Sequence, residues 1–311
     1  MNNKISIALA TYNGEKFLSQ QLDSLLNQTY QNIEIIICDD NSTDNTINVI
    51  ENYIKKYSNI ILYKNKKQLG FVKNFEKVIK LCKSEYIALC DQDDIWIKNK
   101  LEVQIQEMKL LEKMYKNRPL LVHSDLKMIN ENEKIIHSSY FKFRNYRLKN
   151  KKDLAYILGA CSVMGNTILF NQLLKNKILP FIEDIEVHDY WIALVNELYG
   201  KRKTIYEALV LYRIHHKNSS NNKDTLQQIK RTKEINLPYH NINRDKLLKE
   251  IMYNFTLSTK DKNLINDFLI YLEFKNHKLI IIYILLKHNF MKKGFFFKIK
   301  IFIKILLKKR E

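Results

Sequence analysis

From Ile5 to about His123, short apolar runs alternate with segments whose apolar residues recur every three or four positions. The runs Ile5 to Ala10, Ile33 to Cys38, Ile60 to Tyr63, Tyr86 to Cys90 and Leu120 to His123 have the length and content of buried β-strands. Between them, Phe17, Leu18, Gln21, Leu22, Leu25 and Leu26 trace one helical stripe. Phe71, Phe75, Val78, Ile79 and Cys82 trace a second, and Leu101, Ile105, Met108 and Leu111 a third. Repeated βαβ units of this kind predict an α/β protein: a mainly parallel sheet flanked by helices, with right-handed crossovers.

From about 125 to 215 the pattern is less regular. It predicts a hairpin around Asn130 to Glu133, a glycine-punctuated stretch GACSVMGNTILF, a helix from about His188 to Leu198 and a strand ending in VLYRIHH. Residues 1–220 thus read as one domain with halves 1–125 and 126–220. After the polar break HHKNSSNNKD the chain is helical, rich in lysine and isoleucine, and lacks glycine until Gly294. Residues 221–311 read as a C-terminal helical appendage.

In open parallel sheets ligands bind beyond the carboxyl ends of the strands. There the first strand leads into Thr11, Tyr12, Asn13 and Gly14, the second into Asp39, Asp40, Asn41 and Ser42, and the fourth into Asp91, Gln92, Asp93 and Asp94. Carboxylates packed so closely repel one another unless a cation sits among them. A hard divalent ion, Mg²⁺ or Mn²⁺, is the natural counter-charge, held by one or two carboxylates plus substrate phosphates. That favours a metal at the triplet, whereas for Asp94 alone, capping of the next helix is an equal reading. Asp39 and Asp40 open DDNSTDNT, where Asp44 would cap a helix and the turn could be purely structural. Beside a metal–phosphate site, a carboxylate there would instead accept hydrogen bonds from a ribose or base. His123 and Asp125, in LVHSDL, read either as acceptor-side residues or as core and turn residues.

The chain has 311 residues, 46% of them hydrophobic, enough for one large domain or a domain with an appendage. A formal net charge of +19 points to an anionic partner: nucleic acid, a membrane face or phosphate-bearing substrates. Cys38, Cys82, Cys90 and Cys161 have no CxxC spacing, which predicts buried thiols in a reduced cytoplasmic setting. MNNKISIALATYNG reads as a first strand rather than a signal peptide. The longest apolar run, Leu279 to Leu286, is far below the roughly 20 residues of a membrane span.

IALATYNGEKFLSQQLDSLLNQTYQNIEIIICDDNSTDNT, LGFVKNFE and YIALCDQDDIW resemble the nucleotide-binding half of the family 2 glycosyltransferases, over about residues 4 to 125. HDYW (His188 to Trp191) and YRIHHKN (Tyr212 to Asn218) resemble acceptor-side motifs of bacterial members that build O-antigen or capsular polysaccharide, rhamnosyltransferases among them. The resemblance implies the GT-A fold, which is Rossmann-like. It also implies inverting, metal-dependent transfer of a sugar, rhamnose among the candidates, from a dTDP- or UDP-sugar to a glycan or lipid-linked glycan. Carried over residue by residue, Thr11, Asn13 and Glu15 would line the nucleotide pocket, and Asp39 or Asp40 would contact the base or ribose. Asp91 and Asp93 would form the metal-holding DxD pair, and Asp189 would be the catalytic base. Arg213 and His215 would add donors to the diphosphate, with His215 also a metal ligand. The chain departs from the commoner YRQHGNN pattern at Ile214 and His216; position selects His215 over His216. Without the resemblance, Asp189 reads as a helix cap and His188 and Trp191 as packing residues.

In FMKKGFFFKIKIFIKILLKKR, a helix over about 290–309 would place Lys293, Lys300, Lys304 and Lys308 on one narrow face and apolar residues on most of the rest. Such a helix suits peripheral contact with the inner face of a bacterial membrane, where anionic lipids add about 1 kcal/mol per basic residue. The other reading is a helix packed on its own domain with lysines outward. Two further functional classes weigh less. A sugar nucleotidyltransferase would carry a glycine-rich basic loop where this chain has TYNGEK. A nucleic-acid binder would meet repulsion at the acidic strand ends.

Overall fold

The structure, a computed structural model, describes residues 3–146, 148–183, 185–215, 242–273, 278–288, 290 and 303. His216 and, apart from Phe290 and Ile303, the amphipathic stretch 290–309 fall outside the described residues.

β1 (Ile5–Thr11), α1 (Leu18–Leu26), β2 (Ile33–Asp39), α2 (Thr46–Ile54), β3 (Ile60–Lys64), α3 (Phe71–Leu81) and β4 (Tyr86–Cys90) follow the expected strand–helix alternation. β1 pairs in parallel with both β2 and β4, and β2 with β3. The register sets Thr11 beside Asp39 and Leu9 beside Cys90. The polar residues after β1, β2 and β4 therefore gather along one edge of the sheet.

The second half is mixed. After β5 (Ile95–Trp96) and α4 (Lys100–Met114) come β6 (Leu120–Ile129), β7 (Ile135–His137), α5 (Tyr140–Phe143) and α6 (Leu154–Ala160). A 3₁₀ turn at Gly165–Thr167 leads into β8 (Ile168–Asn171), followed by α7 (Gln172–Ile178), α8 (His188–Tyr199) and β9 (Lys201–Arg213). The strand order is β3-β2-β1-β4-β8-β6-β9-β5, with β7 forming the expected hairpin on β6. β8 runs antiparallel to β4 and β6, and β5 antiparallel to β9.

The central strands are apolar throughout because both faces are covered. With a side-chain period of two, Ile5, Ile7, Leu9, Tyr86, Ala88 and Cys90 enter one core with α1 and α4. Ala8, Ile87 and Leu89 enter the other with α3, α6 and α8. That second core also takes in α9 (Ile242–Asn254), α10 (Thr259–Glu273) and α11 (Lys278–Lys287), through Leu247, Leu248, Ile251, Phe268, Ile281 and Leu285 among others. Cys38, Cys82 and Cys90 are buried, and none of the four cysteines is in a disulfide. Among the described residues no helix is long and apolar enough to cross a membrane.

Candidate active site

The edge where β1, β2 and β4 end opens into a cleft of about 490 Å³. Thr11, Asp40, Asp91, Asp93 and Asp189 line it, with α3 and the start of α8 as further walls. Its architecture comes from carboxylates bonded to backbone. Asp39 accepts hydrogen bonds from Thr11 Oγ1 (2.9 Å), Ser42 N (2.9 Å) and Ser42 Oγ (2.6 Å), which closes the turn after β2. Asp40 accepts from Asn65 Nδ2 (2.8 Å), Leu69 N (2.7 Å) and Gly70 N (2.8 Å). It thereby fixes the entry to α3, where Gly70 holds a left-handed φ of +84° that a side chain would strain.

Asn13 and Glu15 join the two loops rather than facing the cleft. Asn13 Oδ1 accepts from Thr43 N (2.8 Å) and Glu15 Oε2 from Asn45 N (2.8 Å). Asp44 accepts from Thr46 N at 3.0 Å, although Asn45 occupies the N-cap position of α2. Gln92, which sequence reasoning passed over, brackets Tyr12: its Oε1 accepts from Tyr12 N (2.8 Å) and its Nε2 donates to Tyr12 O (2.9 Å). A Cβ at Gly14 would meet that Gln92 Oε1 at 2.3 Å, so only glycine allows the bracket.

Asp94 does not cap the next helix: α4 starts at Lys100 behind Asn99, and β5 intervenes. It is buried instead, accepting from the Asn166 side-chain amide and from Arg213 N at 3.0 Å. Arg213 is fully buried and does not line the cleft. Its guanidinium donates to the backbone carbonyls of Asp93 (3.0 Å) and Glu131 (3.0 Å) and to Gln20 Oε1 (2.7 Å), and lies over the Phe17 ring at 4.6 Å. His215 Nε2 meets Asp93 Oδ2 at 2.8 Å, with its ring 5.0 Å from that of Phe17. The end of β9 thus buttresses the acidic turn from behind. Asp189 sits in the first turn of α8, at whose N-cap stands Val187, and its Oδ2 accepts from Gly165 N at 3.2 Å. His123 and Asp125 take the structural roles. His123 Nε2 lies 2.9 Å from Thr204 Oγ1 in the core, and Asp125 accepts from Phe141 N (3.0 Å), Leu126 N (2.8 Å) and Ser139 Oγ.

Asp91, Asp93 and Asp189 face the same cleft, whose described lining contains no lysine or arginine. Asp91 and Asp189 keep some surface in the cleft but are walled by protein. Burial, reinforced by the charges of Asp93 and Asp189, pushes the Asp91 carboxyl well above the usual range. Burial pushes Asp189 up to about 6, against the pull of the N–H groups of Gly165 and Tyr190. In a chain of net charge +19, this is local anionic excess facing a hole. Among the described residues no group of three or more His, Cys, Asp or Glu side chains is placed to hold a metal ion by itself. Asp91 and Asp93 supply hard oxygen donors, with His215 Nε2 held against Asp93. That fits an Mg²⁺ or Mn²⁺ ion whose remaining ligands come from substrate phosphates and water.

The sequence profile of Glycosyl transferase family 2 matches residues 6–172. The chain is similar to the UDP-Glc:alpha-D-GlcNAc-diphosphoundecaprenol beta-1,3-glucosyltransferase WfaP of Escherichia coli: 30% identical over 251 residues, covering 76% of this chain and 88% of that protein. Among solved structures it is similar in fold to S. aureus TarS 1-349 in complex with UDP-GlcNAc, with a TM-score of 0.58, 18% identity and coverage of 91% of this chain and 79% of that one. It is likewise similar to the mannosyltransferase PcManGT of Pyrobaculum calidifontis in complex with GDP-Man and Mn²⁺, with a TM-score of 0.57, 13% identity and coverage of 91% and 72%.

The two neighbouring acids should respond oppositely to removal of charge. Asp94→Ala strands two buried donors, at about 1–3 kcal/mol each, so urea unfolding should show a loss of about 2–6 kcal/mol. Asp91→Asn relieves repulsion and should raise the unfolding midpoint in EDTA.

Proposed function

This chain belongs to glycosyl transferase family 2 and is a glycosyltransferase; from that premise we propose that it moves a hexose from a nucleoside-diphosphate sugar to a lipid-linked or growing surface glycan, by an inverting, metal-assisted displacement. Its architecture is the GT-A fold. The observation that carries the proposal is the set Asp91, Asp93 and Asp189 facing one cleft without a described basic side chain. A diphosphate entering alone would be repelled, whereas a metal–diphosphate brings the balancing charge with it.

Asp91 and Asp93 would hold the ion, and His215 would steady Asp93 through the 2.8 Å contact. When bound, Mg²⁺ or Mn²⁺ offsets the charge that grows on the departing diphosphate. Thr11 and Asp40 form the nucleotide side of the cleft. Asn13, Glu15 and Asp39 hold the loops that shape that side, and Arg213 holds the backbone of Asp93. Across the cleft, Asp189 accepts the proton of the acceptor hydroxyl as its oxygen bonds to the anomeric carbon and the bond to the diphosphate oxygen breaks. The Gly165 N–H steadies the receiving carboxylate. Attack from the face opposite the leaving group inverts the anomeric centre.

The donor is a UDP- or dTDP-sugar. Glucose is supported by the E. coli relative, and rhamnose by the resemblance of HDYW and YRIHHKN. Residues 1–125 serve the donor and 126–220 the acceptor. The basic region 221–311 would bring the chain to the inner membrane face, where lipid-linked acceptors reside; exposed Leu279, Tyr283 and Leu286 on α11 support that reading.

Two measurements test these assignments. With Asp189 titrating at about 6, transfer by the wild type should fall as pH drops below that value, because the base becomes protonated. Asp189→Asn should keep donor affinity yet lose about 10²–10⁴-fold in transfer rate; initial rates between pH 5 and 8 decide, and an unimpaired variant contradicts the role. The full chain should float with phosphatidylglycerol vesicles, not with phosphatidylcholine vesicles, and about 0.5 M salt should release it by screening. Equal recovery with both lipids would contradict the electrostatic contact.

A further inference from the structure

The parallel ladder between β1 and β4 ends at the pair Leu9 and Cys90, short of the loops that form the cleft. Beyond it, one side chain continues the connection. Gln92 stands between Asp91 and Asp93, and its amide takes both backbone groups of Tyr12: Oε1 accepts from Tyr12 N at 2.8 Å and Nε2 donates to Tyr12 O at 2.9 Å. An amide held this way stands in for a further rung of the sheet, joining residues 80 positions apart in the chain.

Folding stability does not account for the arrangement. Both hydrogen bonds are exposed, where water competes for the same groups and the net gain is small. Gly14 loses conformational freedom on folding to permit them, since a Cβ there would meet Gln92 Oε1 at 2.3 Å and Cδ at 2.5 Å. Its φ is not left-handed, so the Gln92 amide, not the backbone, is what calls for glycine.

What the bracket fixes is a distance. On one side, Gln92 shares its turn with Asp91 and Asp93, and Arg213 on the Asp93 carbonyl and His215 on the Asp93 carboxylate secure that turn from behind. On the other, Tyr12 follows Thr11, and its loop is stitched to the chain after β2 by Asn13 N on Ser42 Oγ (2.9 Å) and Gly14 N on Thr46 Oγ1 (2.8 Å). Gln92 and Tyr12 both line the cleft between these two walls. Under the proposed function, the first wall seats the diphosphate through its ion, and the second, with Thr11 and Asp40, seats the nucleoside. A nucleoside diphosphate spans both seats. Such a two-ended ligand gains affinity over either half only when the seats are held at the ligand's own spacing.

We propose that Gln92 is a positioning residue that sets the span between the diphosphate seat and the nucleoside seat, and thereby selects a nucleoside diphosphate over either half alone. This deepens the glycosyltransferase reading and rests on it.

The test compares the whole ligand with its halves. Full-length wild type, Gln92→Met and Gly14→Ala are titrated in Mn²⁺ with UDP, uridine and pyrophosphate, and with dTDP and thymidine, by calorimetry or, for the weak halves, by ligand NMR. Gln92→Met keeps the length of the side chain without its amide, whereas Gly14→Ala keeps the amide and crowds it off Tyr12. The proposal expects each variant to bind the nucleoside diphosphate about tenfold more weakly than wild type, with pyrophosphate and nucleoside each within about twofold. Equal weakening of the nucleotide and of one half in Gln92→Met would overturn it, because Gln92 would then act within a single seat. An unchanged nucleotide affinity would overturn it too. If Gln92→Met fails to fold, Gly14→Ala is judged by the same ratio. A wild type that binds neither UDP nor dTDP overturns the glycosyltransferase donor reading itself, and this proposal with it.

Discussion

Repulsion among carboxylates that the fold forces together governs this molecule. Asp91 and Asp93 stand at the end of β4, a strand buried on both faces between β1 and β8, so the turn that carries them cannot swing away from the cleft. Asp189 comes from the far wall, on a helix packed into the core beneath α3 and α6. Neither side can retreat, and the described lining offers no basic side chain to absorb the charge. Under the proposed function, a cation arriving with its own anionic partner would complete such a site.

The remaining polar groups make sense as the frame that holds this arrangement. Arg213 spends its guanidinium on backbone and amide oxygens behind the acidic turn, which fixes Asp93 without neutralising it. Asp39 and Asp40 accept hydrogen bonds from Ser42, Leu69 and Gly70, shaping the side of the cleft where β2 ends. The carboxylates after β2 are thus satisfied locally by N–H and hydroxyl donors. After β4, Asp94 is likewise satisfied, by the Asn166 amide and Arg213 N, whereas Asp91 and Asp93 have one another and a histidine. The same residue type therefore does two different jobs at neighbouring strand ends, and hydrogen-bond supply decides which.

Much of this was legible in the chain because it is local. β1 to β4 announce themselves as apolar runs since both faces are covered, and the polar residues after each run fall at one sheet edge by parallel register alone. What escaped depends on distant pairing. β8 is four residues long, and its antiparallel place between β4 and β6 is set by partners about 50 to 80 residues away in the chain. Asp94 reads equally as a cap or as a metal ligand because its true partners, Asn166 and the Arg213 amide, lie far along the chain. Asn13 and Glu15 sit at the right strand end, yet their side chains are taken up by Thr43 and Asn45. The Gln92 bracket on Tyr12 needs coordinates, since Gly14 in sequence does not say which neighbour it makes room for.

The most direct test of the charge-balance account is calorimetric titration of the wild-type chain with UDP and with dTDP, in EDTA and then in Mn²⁺. Binding that emerges only with Mn²⁺, and is lost again in Asp93→Ala, is the predicted result. Nucleotide affinity that is the same with and without the ion would contradict the account.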